Sequence, residues 1–80
     1  MGFDEYLATI ALKEALNLLP NSEFTIRDLF RLSEWEIVPQ SVKLQAGLRF
    51  YEMLTKNNLL NSSIIELEHL PDNTTVYKKI

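Results

Sequence analysis

The chain has 80 residues, 46% of them hydrophobic and 24% charged, with two glycines, three prolines, no cysteine and a net charge of −3. A chain this short forms one domain, residues 1–80, and buries only roughly 60–65% of the surface it exposes when unfolded. Lack of cysteine excludes disulfides and thiolate metal sites, the acidic start Met1-Gly2-Phe3-Asp4-Glu5 is unlike a signal peptide, and no apolar run reaches the roughly 20 residues that cross a bilayer.

Phe3 to Leu19 predicts a helix, rich in Ala and Leu, free of internal Gly and Pro, and stopped by Pro20-Asn21-Ser22. Its apolar positions form two stripes: Phe3, Leu7 and Ile10, then Ala8, Leu12, Ala15 and Leu19. That arc is wider than a surface helix needs, so the helix is either central to the fold or meets a second copy. Glu23-Phe24-Thr25 reads as a short extended piece. Thr25 and Asp28 have the spacing of a capping box, which starts a short helix over about 26–32 with Ile26, Leu29 and Phe30 inward. Ser33 to Val38 reads as a connection holding Trp35 between Glu34 and Glu36.

Pro39, with its fixed φ, suits the start of a third helix over about Gln40 to Lys56. Leu44, Gly47, Leu48, Phe50, Tyr51 and Leu54 form its expected buried face, and Val42, Ala46 and Met53 a separate apolar stripe. Gly47 costs about 1 kcal/mol relative to Ala inside a helix, which predicts a close approach by another backbone. After an Asn- and Ser-rich loop, Ile64 to His69 alternates as a half-buried strand does; Leu70-Pro71-Asp72-Asn73 reads as a turn, and Thr74 to Ile80 as the return strand. The order predicts an α+β fold resembling a winged helix-turn-helix: three helices plus a C-terminal β-hairpin. A bare three-helix cluster with a hairpin is the alternative.

Phe24-Thr25-Ile26-Arg27-Asp28-Leu29-Phe30, Trp35, Pro39, Gly47-Leu48-Arg49-Phe50, Asn73 and Tyr77-Lys78-Lys79 together resemble the domain-of-unknown-function family numbered 1413. The resemblance covers about residues 22 to 80 and leaves the first helix outside. It implies a bacterial, cytoplasmic protein of Gram-positive bacteria or their phages, and it supplies no catalytic residue.

Nothing in the residues assembles an enzyme. His69 is the only histidine and has no cysteine to share a zinc site with, and no motif offers a nucleophile. Glu34 with Glu36, and Glu66 with Glu68, read as solvated faces; no Gly-rich loop could cradle phosphate. We expect no cofactor, metal or small-molecule substrate, and read Trp35 as a lid over a small core. A binding role remains, in two forms.

The first is double-stranded DNA. Gln40, Ser41, Gln45 and Arg49 would reach bases from the third helix, with Arg27, Arg31, Lys43, Lys56, Lys78 and Lys79 on phosphates. Against it stand the charges: residues 24–57 carry five bases but four acids, and Glu66 and Glu68 are expected to face lysines across the hairpin. The second is a protein-interaction module, a homodimer or adaptor, with Val42, Ala46 and Met53 as the interface.

Overall fold

Three alanines set how close the two long helices come. The computed structural model describes residues 2–71 and 74–80. In it Ala8, Ala11 and Ala15 of α1 (Phe3–Leu16) have no exposed surface. Along them packs α3 (Gln40–Lys56), which contributes Ala46, Phe50 and Leu54, equally buried. Side chains this small let the helix axes approach, and the larger Phe50 and Leu54 fill the space beyond. The first helix stops at Leu16, before the expected Leu19; the chain then turns through Asn21, at φ 74, whose N–H donates to Lys79 O at 2.7 Å.

Between the long helices lie β1 (Glu23–Phe24), a 3-10 turn (Ile26–Leu29) and α2 (Leu32–Glu36). The capping box is present: the Asp28 carboxylate accepts from the Thr25 N–H at 2.9 Å and from its hydroxyl at 3.1 Å. It starts only one 3-10 turn, because Phe30 is extended (φ −122, ψ 159) and ends it. Phe30 stacks instead on Trp35, ring centres 5.1 Å apart. Trp35 is therefore helical, within the stretch expected to be a connection. It is buried with Leu7, Val38 and Ala46 in a second small core, as the lid reading expects.

Two further strands, β2 (Ile64–His69) and β3 (Thr75–Lys79), form the C-terminal hairpin. With β1 they make an antiparallel sheet in the order β1-β3-β2. The expected turn between them falls partly on Asp72 and Asn73, which lie outside the described residues. Phe24 and Glu66 both stand opposite Tyr77, and a bulge at Leu67 shifts the register so that Glu68 meets Val76. Neither glutamate faces a lysine, contrary to the sequence reading: Lys78 pairs with Glu23 and Ile65, and Lys79 with Ile64. The core joins sheet to helices through three rings. Tyr77 stacks on Phe24 at 5.7 Å and meets Phe50 edge-on at 5.4 Å. The architecture is α+β, three helices and a three-stranded antiparallel sheet. Among the described residues no helix is long and apolar enough to cross a membrane.

Candidate functional site

The core-facing side of α3 departs in part from the sequence reading: Phe50 and Leu54, expected inward, are fully buried, but other assignments change places. Val42, Ala46 and Met53, expected as a free interface, pack inward: Ala46 is fully buried, and Val42 and Met53 are half-buried against the two cores. They therefore offer no free stripe to a partner. Leu44, Leu48 and Tyr51, assigned to the buried face, remain 45%, 58% and 42% exposed. The helix carries two apolar stripes; Ala46 packs with Leu7, Trp35 and Val38, and Met53 against the core that holds Ala8, Ala11 and Ala15.

The exposed stripe forms one wall of a groove of about 770 Å³ between α3 and the hairpin. Glu66, His69, Thr75 and Tyr77 line it from the hairpin, and Trp35 and Ile26 also line it. Gly47 also lines the groove. A methyl group built on it would meet nothing within 4 Å, so among the described residues no backbone crosses there, contrary to expectation. The helix carries the roughly 1 kcal/mol penalty of a central glycine with no close intramolecular contact at that position.

The chemistry of the walls is apolar with few charges. Burial pushes the Tyr77 phenol from 10.0 up to about 12, and the charge of Glu66 acts in the same direction. The phenol therefore stays neutral at physiological pH. His69 Nδ1 lies 3.1 Å from Thr75 Oγ1. Lys43 holds its ammonium 5.7 Å from the centre of the Trp35 ring.

Of the residues expected on DNA, only some come together. Arg27, Gln40, Lys43 and Gln45 line the groove. Arg31, Ser41 and Lys56 are exposed elsewhere, Arg31 within 3.7 Å of Glu34. Arg49 is engaged between Asp4 and Glu52, at 3.4 and 3.1 Å. Lys78 stands opposite Glu23, and the Lys79 ammonium donates to Ile80 O at 2.8 Å. Sequence reasoning missed Glu66, His69, Thr75 and Tyr77 as groove residues. Only the hairpin register, with its bulge, brings them to one face.

The family model described as Domain of unknown function (DUF1413) matches residues 9–79. The chain belongs to that family. Comparison with curated proteins and with solved structures gives no match. The DUF1413 match begins at Thr9, well before the resemblance read from sequence, so the later part of α1 belongs to the family domain. The groove, with lining residues from Ile26 to Tyr77, lies wholly inside the DUF1413 span. A second hollow, of about 330 Å³ around Phe3, Tyr6 and Ile37, begins before it.

Proposed function

We propose that this DUF1413 domain is a non-enzymatic winged-helix module that binds a segment of another polypeptide in the groove between α3 and the hairpin. The sheet order β1-β3-β2, with α3 packed on α1 and a C-terminal hairpin beside it, supports the winged-helix reading. The observation that carries the function is the wall itself: Leu44, Leu48 and Tyr51 exposed at one-turn spacing around an unfilled Gly47. Apolar stripes left uncovered mark contact surfaces. Spacing of i, i+4 and i+7 along a helix suits a partner segment laid beside it.

The same topology is compatible with DNA, but the charge arrangement favours protein. Arg49 is held by two carboxylates, and the hairpin presents Glu66 and Glu68. Phosphate binding draws on unpaired cations, and the chain carries a net charge of −3.

Selection of a random peptide library on the immobilised domain tests this, with Leu48→Glu in parallel and duplex DNA assayed at low salt. We expect peptides that bind the parent, shift the resonances of Gly47, Leu48 and Tyr51, and fail on Leu48→Glu. Peptide binding insensitive to Leu48→Glu would remove the groove from the function. Salt-dependent duplex binding without peptide binding would favour DNA, and a dimer split by Leu48→Glu would make a second copy the partner.

A further inference from the structure

Resting on that reading, we infer that the occupant is an amphipathic helix with acidic residues at the end that meets Arg27 and Lys43. The groove is electrically polarised. Lys43, near the start of α3 and beside Trp35, and Arg27 both line it, and among the described residues neither is ion-paired with a carboxylate. Lys43 rests over the Trp35 ring, an arrangement that leaves its charge available to an anion. Gln40, the first residue of α3, lines the same region, so the positive end of the helix dipole adds to the field. Further along, beside Tyr77, lies Glu66, the only carboxylate among the described lining residues.

A ligand matched to this field carries acids at the first end, apolar side chains over Leu44, Leu48 and Tyr51, and no acid beside Glu66. Gly47 sets the shape. With nothing where a side chain would stand, a second helix can lie against α3 at close range, as small residues at helix contacts allow. An extended strand would instead add to the sheet edge at β2 and leave the wall of α3 uncovered.

The test uses three helical peptides of identical apolar spacing whose terminal turn carries Glu, Gln or Lys. Binding is followed by the fluorescence of Trp35, the only tryptophan, which lines the groove. The Glu peptide should bind about tenfold more tightly than the Lys peptide at low salt, with the Gln peptide between them and the gap closing as salt rises. The double charge reversal Arg27→Glu with Lys43→Glu should invert the order, in a protein whose unfolding transition stays cooperative. Equal affinity for all three peptides, each lost with Leu48→Glu, overturns the acidic assignment and leaves the groove reading standing. Shifts confined to β2 resonances overturn the helical assignment. Absence of any Leu48-dependent binding removes both.

Discussion

Arg49 of α3 sets its Nε 3.4 Å from Oδ2 of Asp4 on α1, and its Nη1 3.1 Å from Oε2 of Glu52 one turn along its own helix. The residue that sequence reading placed on a base edge instead ties the two long helices together. Its guanidinium pKa is raised above the ordinary arginine value, first by the hydrogen bond to Glu52 and then by that to Asp4. A raised value means that the guanidinium stays charged, and this contribution present, throughout the neutral and moderately alkaline range. Arg49→Ala should lower the thermal midpoint at low ionic strength, and the difference should narrow in concentrated salt, because the pair is partly exposed. A midpoint unchanged at low salt would show that the pair contributes nothing.

Gly47→Ala should stabilise the isolated domain. The added methyl group enters open space and removes the helix penalty of glycine, worth about 1 kcal/mol or roughly 4–8 °C in midpoint at this size. Thermal unfolding followed by circular dichroism checks it. A destabilised variant would mean that the groove closes over Gly47 in solution.

The two stripes of α3 should respond oppositely to substitution. Ala46→Leu forces three extra carbons into a fully buried site and should cost about 1–3 kcal/mol, occasionally more. Phe50→Ala should cost about 3–5 kcal/mol, close to the whole stability of a small domain. Leu48→Ala, at an exposed position, should stay within about 0.5 kcal/mol. Urea midpoints give the ranking, and a Leu48→Ala loss as large as that at Phe50 would mean the stripes are exchanged.

Tyr77 should make the fold sensitive to alkali. Its phenol titrates at about 12 when folded, against 10.0 as the ordinary value, with burial the main cause. Between those values the unfolded chain gives up a proton that the native state keeps. Stability is therefore full below 10, declines as pH rises through about 12, and falls by up to about 2 kcal/mol in total from this group. Urea midpoints measured from pH 9 upward should show the decline, and Tyr77→Phe should flatten it. A decline of equal slope in Tyr77→Phe would assign it to other groups.

Asp28→Ala should cost about 1 kcal/mol, since its carboxylate holds both the N–H and the hydroxyl of buried Thr25. Thr25→Ala keeps the backbone half of that contact and should cost less, as chemical denaturation of the pair will show.

Much of this fold was legible along the chain. Pro39 marks the N-cap of α3, the Thr25–Asp28 spacing marks the capping box of the 3-10 turn, and the alternation after Ile64 marks the hairpin. These are local signals, each decided by a few neighbouring residues. What sequence could not rank was long-range. Leu44, Leu48 and Tyr51 form as good a stripe as Val42, Ala46 and Met53, and only tertiary packing decides between them: Leu7, Trp35 and Val38 enclose Ala46, and Met53 meets the core of Ala8, Ala11 and Ala15. The acids opposing Arg49 lie 45 positions upstream, at Asp4, and three downstream, at Glu52; only the first needs the fold. Placement of Glu66 opposite Tyr77 rather than a lysine depends on register, which a single bulge resets.

That bulge has a bearing on how the protein fares in a crowded solution. β2 ends the sheet on one side, and a flat outermost strand is a template on which other chains can stack. Leu67 breaks the regular spacing of the ladder between two glutamates, so an arriving strand meets mismatched amides and negative charge. Deleting Leu67 would straighten that margin and invite fibril-like pairing.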